Sequence, residues 1–459
     1  MNIKLTNSES FVLEKPDGTN IDLTAIETEY GIQWTDANTT PTRIGSPNLH
    51  RTLPIQSLMR RCIKTANGFK YISDSDYTKY EDGTTVNYLT DGDLFVHIPK
   101  YWYRAYDETV NGTSYHKLML YTKETAGAKE SKEVYIGAVE ASSDDASNGT
   151  NPALYSIIKA NIVYNQDGSV SAANLTYPED AANYRGGNQR GSSSWDETTE
   201  KCCLGRPVTN LTRAAFRQRA SRRGTGYSQQ YWSAYMAMVR LYVVEYCNFN
   251  TQAAYNSSKT SDGYMQGGLG AGISTDSNWS THNDYNPFVP CGVTLRLGNK
   301  TGVVSFASGS AYTGNVPSYR GVENPFAHIW KWTDGINIYT ADGVTDVYVT
   351  DDITKFADDT ATDYEKHVTF TRSFTEGYIS KWNWDNNGEF IPTAVGGSDS
   401  SYLYDYSWWN NTNVGWRVLR SGGNADNGAG CGWFDFLADG GSGGAGLDIG
   451  GRLYYTPNN

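Results

Sequence analysis

The sequence predicts a chain of mixed α and β character, with two helices set among many short strands. Three observations carry this reading. Trp232, Tyr235, Met236, Val239, Tyr242, Val243 and Tyr246 recur at helical spacing after Ser228, an apolar stripe over about four turns. A second helix is expected from Arg213 to Arg223, because Thr212 is a good N-cap and Gly224 a good stop. Elsewhere apolar residues alternate with polar ones in short runs, the period of a half-buried strand.

In chain order, Val12 to Ile21 reads as two strand ends around Pro16-Asp17-Gly18. Arg51 to Ile63 holds a short helix or a strand, and Arg51, Arg60 and Arg61 are expected on a solvated face or at contacts between subunits. Residues 1–90 read as a small β-rich attachment or assembly unit, and 91–459 as the main domain. Leu94 to Arg104 is a strand interrupted at Pro99, and Val134 to Ala141 another. Asn165 to Glu200, with Gly186 to Gly191 inside, reads as a polar surface insertion. Arg213, Arg217, Arg219, Arg222 and Arg223 form the most basic patch of an acidic chain, which predicts ion pairs within the fold. The stretch 228–247 is the expected core helix, capped by Ser228. After it come a loop at Gly263 to Gly272, strands at Gly292 to Leu297, Gly302 to Phe306, Ile336 to Tyr339 and Val347 to Val349, and an acidic surface at Asp351, Asp352, Asp358, Asp359 and Asp363. The spacing of those carboxylates does not fit an EF-hand calcium loop.

Composition narrows the function. A net charge of -12 disfavours nucleic acid and anionic membranes as partners. No run of eighteen apolar residues predicts membrane insertion, and no basic segment with an apolar core marks a secretory leader, so synthesis in a cytoplasm is expected. Six cysteines, without a C-x-x-C pair, read as free thiols; Cys202-Cys203 has no histidines near it in sequence, so no metal is expected. No nucleophile elbow or cofactor fingerprint occurs, which favours a binding protein over an enzyme and predicts no cofactor. The 34 tyrosines and 13 tryptophans, with abundant Asn, Ser, Thr and Gly, suit either a binding surface or aromatic-rich strands.

The C-terminal stretch concentrates these features. Twelve of the thirty-one residues from Ser421 to Gly451 are glycine, yet Trp433, Phe434 and Phe436 lie among them and strand-like runs flank them at Trp416 to Leu419 and Arg452 to Tyr455. This predicts an irregular but ordered surface held between two strands, where binding residues commonly sit.

Several segments resemble a known family. Phe95-Val-His-Ile-Pro-Lys-Tyr-Trp-Tyr-Arg104, Tyr319 to Trp332, Val395-Gly-Gly-Ser398, Gly422 to Gly428 and Ile449 to Leu453 are similar to C-type lectin-like proteins sharing the formylglycine-generating-enzyme fold. Within that group they resemble phage tail-fibre proteins and the variable proteins of diversity-generating retroelements. The resemblance implies an α+β fold with two helices around short antiparallel sheets. It implies a homotrimer on a phage tail fibre, contacting other tail proteins and binding a protein or glycan receptor on the bacterial surface. It also implies a variable display surface at about 400–455, comprising Ser407, Trp408, Trp409, Ala425, Asp426, Gly430, Trp433, Asp435, Leu437, Asp439, Gly440, Gly444, Gly446 and Asp448, with Trp433, Phe434 and Phe436 open as core or contact and Trp408 open as packed inside with Trp409 exposed. The single Cys431 does not supply the paired cysteines of formylglycine-generating enzymes. A structural tail protein with a lectin-like decoration and a polysaccharide-degrading tail enzyme stay open as alternatives.

Overall fold

A computed structural model describes residues 28–37, 40–144, 151–171, 204–255, 289–308, 312–372, 374–398, 405–409, 414–425, 427–446 and 448–457, with backbone strands also at Asn2–Asn7, Ser10–Glu14, Asn20–Asp22 and Leu175–Thr176. Asp426, Cys202, Cys203, Gly186 to Gly191 and Gly263 to Gly272 lie outside the described residues.

Long hairpins dominate. Asn111 and Gly112, at φ 50° and 80°, turn strand Tyr101–Val110 into Thr113–Tyr121. Asp342 and Gly343, at φ 50° and 76°, turn Trp330–Ala341 into Val344–Val349. Two-residue turns with both φ positive match the right-handed twist of the paired strands, and Asn-Gly and Asp-Gly adopt them at low cost.

The described strands build several sheets. One runs Lys129–Ser131, Tyr101–Val110, Thr113–Tyr121, Glu29–Trp34, Thr42–Gly45. Another runs Tyr227–Gln229, Leu453–Tyr455, Val134–Gly137, Asp93–Ile98, Arg60–Thr65, Gly68–Tyr71. The largest has nine described strands, in the order Glu365–Thr371, Val344–Val349, Trp330–Ala341, Gly415–Ser421, Phe436–Ala438, Tyr406–Trp409, Glu376–Asn383, Ile391–Val395, with Ile449–Gly450 beside Trp330. Pairing crosses residue 90: Glu29–Trp34 lies against Thr113–Tyr121, and Arg60–Thr65 against Asp93–Ile98. The boundary expected at residue 90 therefore falls inside shared sheets.

The sheets enclose the helix Trp232–Tyr246. Twelve of its fifteen residues are buried, so it is a helix packed on every side rather than on one stripe. Tyr101 donates to the Ala237 carbonyl at 2.8 Å, Gln56 to that of Leu241 at 3.1 Å, and the helix's own Tyr235 to that of Trp433 at 2.5 Å. Arg240 is satisfied inside by the Gly388 carbonyl at 3.2 Å and the face of Tyr103 at 3.9 Å. Val239 is fully buried. Val239→Asp is expected to cost more than about 4 kcal/mol and to abolish soluble folding, because an unpaired carboxylate would enter the core. A soluble variant whose circular-dichroism melt matches the parent would overturn this placement.

Several expectations are corrected. The α+β arrangement, a C-type lectin-like fold with two helices around short sheets, does not hold: the chain is predominantly β-sheet, and its strands reach ten and twelve residues. Ser228 does not cap the core helix. It lies in strand Tyr227–Gln229, and Tyr231 holds the cap position. Gly292 to Leu297 is not a strand. Glu323 accepts the Gly292 and Thr294 amides at 2.7 and 2.6 Å, and the chain turns into a short 3-10 helix, Leu295–Leu297. Arg61 is buried rather than solvated, donating to the carbonyls of Gly321 and Leu295, both at 2.9 Å. The Arg213–Ser221 helix does start at Thr212, whose hydroxyl accepts the Ala215 amide at 3.2 Å. Its arginines pair inside the fold: Arg217 with Asp334 at 2.6 Å and with Asp358 at 2.7 Å, Arg213 with Asp358 at 2.5 Å.

Candidate functional site

The C-terminal segment is two-sided, and the alternation of its strands decides which residues face out. Tyr406–Trp409 lies parallel to Phe436–Ala438, which is antiparallel to Gly415–Ser421. Successive residues point to opposite faces. On the inner face, Ser407, Trp409, Phe436 and Ala438 are buried, and the Phe436 ring packs on Trp232 at 5.6 Å. On the outer face one cross-strand row runs Trp332, Arg420, Leu437, Trp408, Glu376. Its Trp332 end is covered, with the indole N–H donating to the Leu211 carbonyl at 2.9 Å and Gly444 close by. Toward Trp408 the row opens: Leu437 and Trp408 are half-buried.

The expected display residues thus separate. Trp408, Leu437, Asp439, Gly440, Gly444, Gly446 and Asp448 reach the surface in whole or part. Ser407, Trp409, Ala425, Gly430, Trp433 and Asp435 do not. Trp433 is enclosed by the rings of Tyr235, Tyr242, Tyr319 and Phe326. Phe434 packs on Trp382 and Phe390. Asp435 is fully buried, so the expectation that it tolerates change is withdrawn. The reason is packing: the glycine-rich path lets the backbone dive under the sheet and carry its aromatics into the core. Gly432 shows how close it runs, since a Cβ there would stand 2.2 Å from the Thr251 hydroxyl and 2.3 Å from the Asp405 carboxylate.

Around the open end of the row, Tyr406 packs tilted against Trp408 at 4.7 Å and Tyr378 meets Tyr406 edge-on at 5.0 Å. Arg420 lies over Trp332 at 5.1 Å. Burial lowers its pKa, against the pull of Asp439 and Asp448. The Trp408 indole N–H and the Arg420 Nε have no acceptor among the described residues. The row presents tilted and edge-on aromatic rings toward solvent, while the Trp408 Nε1 and Arg420 Nε atoms themselves are buried. Arg420, Glu376 and Tyr378 were not singled out from sequence. The usable signal was the two-residue period of Tyr406–Trp409, which puts Trp408 and Trp409 on opposite faces.

A separate cleft of about 360 Å³ opens between the nine-stranded sheet, the start of the core helix and strand Lys129–Ser131. His367 Nδ1 meets Glu389 Oε2 at 2.8 Å, and the other oxygen of Glu389 accepts the Trp232 indole at 2.7 Å. Burial opposes the charge on His367, but Glu389 outweighs it and raises the imidazole pKa. The cleft is polar, with Tyr103, Tyr231, Ser233 and Lys129 in its walls. None of the expected display residues lines it.

These features define a predominantly β protein of several sheets around one buried helix, with a half-open aromatic row on its largest sheet. No protein-family model matches the chain, and no curated protein matches it. Among solved structures it is similar to the Major Tropism Determinant U1 variant (11% identity, TM-score 0.25), the P3c variant (12%, 0.25) and the I1 variant (11%, 0.27), each alignment covering 99% of this chain and 82% of the other. At that overlap the likeness assigns no residue a role.

Proposed function

We propose that the chain is a tropism-determining receptor-binding protein of a phage tail fibre, contacting a bacterial surface protein or glycan through the outer face of its nine-stranded sheet. The observation that supports this best is the open part of the cross-strand row, half-buried Leu437 and Trp408, with Tyr406 and Tyr378 beside it. Aromatic side chains anchored in ordered strands lose little conformational entropy on contact and commonly dominate binding energy. The tolerant positions are Trp408, Leu437, Asp439, Gly440, Gly444, Gly446 and Asp448, whose side chains or Cα atoms reach solvent. A homotrimeric tail component is part of the same proposal, since several copies held together turn weak single contacts into avidity.

Trp408→Ala with Leu437→Ser is expected to reduce binding of the purified chain to its host cells by on the order of tenfold or more, as loss of an aromatic anchor does. The double variant should still melt cooperatively, because the inner face is untouched. Host-cell binding measured by flow cytometry at parental strength would refute the reading.

A further inference from the structure

Among the described residues, two arginine pairs have opposite fates. Arg213 and Arg217 are bridged by one carboxylate, Asp358, at 2.5 and 2.7 Å, and Asp334 adds a second partner to Arg217. Shared anions of this kind remove the repulsion between two guanidinium groups. The other pair, Arg372 and Arg417, has no such bridge among the described residues. Arg372 follows strand Glu365–Thr371, and its amide is fixed to the Gly343 carbonyl at 2.9 Å. Its side chain is only 4% exposed. One nitrogen, Nη2, reaches the Thr340 hydroxyl at a long 3.4 Å, while Nε and Nη1 are buried without an acceptor. Among the described residues it is the only arginine with two such donors.

Arg417 stands on the same face. It lies opposite Ile338 in the neighbouring strand, two residues from Thr340. It is half-buried, donates Nη1 to the Trp416 carbonyl at 2.6 Å, and leaves Nε without an acceptor. Burial and then the Arg417 charge lower the Arg372 pKa to about 10. Thr340 and Thr345 hydroxyls, 3.4 Å apart, border the pair. Arg452, by contrast, donates to the carbonyls of Gly137, Glu323 and Asn324 at 2.6 to 2.8 Å. A buried guanidinium with two idle donors beside a second cation is costly, and an oxyanion accepting from both relieves the repulsion and the lost hydrogen bonds together.

We propose that Arg372 and Arg417, with the Thr340 hydroxyl, form a binding subsite for an oxyanion, a carboxylate or phosphate group, at this end of the nine-stranded sheet. Arg417 supplies the solvent-facing entrance, and Arg372 the buried fork that sets orientation. As a source of the anion we assign an acidic glycan of the host surface. That assignment rests on the receptor-binding reading, whereas the subsite does not.

The subsite is tested by melting the intact chain at matched ionic strength in chloride, inorganic phosphate or glucuronate. An anion that binds only the native state raises the melting temperature with concentration until the site saturates. Phosphate or glucuronate should raise it by a few degrees over chloride. The rise should vanish in Arg372→Met and in Arg417→Gln, the latter a change at a half-exposed position that keeps the fold testable. Equal melting of the parent in all three anions, or a rise retained in Arg417→Gln, would overturn the subsite. Adsorption to host cells then separates the source. Arg417→Gln that has lost the anion effect but adsorbs like the parent removes the glycan assignment and leaves the subsite standing, while loss of both supports both. Failure of the receptor-binding reading itself is read independently, from the Trp408 and Leu437 variant.

Discussion

Asp405→Asn is expected to raise the melting temperature at pH 8 and to leave it nearly unchanged at pH 4. Asp405 is buried beneath the aromatic segment, where one oxygen accepts the Thr251 hydroxyl at 2.8 Å and the Phe434 amide at 2.9 Å and the other has no partner. Burial outweighs these two hydrogen bonds and pushes the carboxyl pKa from 3.8 up to about 8. The sign follows from proton binding. Between the unfolded and folded pKa values the native state holds a proton that the unfolded chain releases, so stability falls as pH rises from about 4 to about 8. A rise of that size corresponds to roughly 5 kcal/mol at most. Asn has the shape of the neutral acid and keeps the acceptor for both donors, so it should flatten this slope. Denaturant midpoints from pH 4 to 9 measure it, and a slope identical in parent and variant would show that Asp405 is ionised in the native protein.

Lys331→Met should destabilise the chain by about 3–5 kcal/mol, the usual cost of breaking a buried ion pair. Lys331 is fully buried on strand Trp330–Ala341, with its ammonium 2.9 Å from Glu140 and 2.9 Å from the Ile329 carbonyl. Glu140 also meets His328 at 2.6 Å. Burial alone would raise the Glu140 pKa, but Lys331 and His328 overcome it and hold it at about 2. Removing Lys331 strands that carboxylate in the core. Adding Glu140→Gln removes the stranded charge and should restore most of the loss. Urea denaturation of the two variants decides it: a loss under about 1 kcal/mol for Lys331→Met alone would mean that Glu140 is already compensated by His328.

Local pattern carried part of the structure into view. The stripe from Trp232 to Tyr246 and the cap at Thr212 depend on residues within one or two turns, and both helices are where those signals place them. The break at Pro99 separates Asp93–Ile98 from Tyr101–Val110 as expected. The weight of β-sheet was not read from the sequence: Asn111-Gly112 and Asp342-Gly343 turn tight hairpins between long strands, a local signal that the α+β expectation passed over. The candidate site was half legible. Composition marked the segment around Trp408 and Leu437, but composition treats a glycine-rich surface and a glycine-rich path into the core alike.

The sequence by itself determined helix positions, the alternation that parts Trp408 from Trp409, and the turns, because each is set by neighbours along the chain. Only the tertiary structure decided which face of each strand is covered and which charges are paired. Asp358 reaches Arg213 across 145 residues and Trp433 meets Tyr235 across 198, so nothing local announces either contact. Burial is a property of what packs against a residue from elsewhere in the chain. For that reason Asp435, which the resemblance placed on the display surface, and Trp433, open as core or contact, lie in the core, and Arg372, one arginine among many in the sequence, stands out only once the sheet has closed around it.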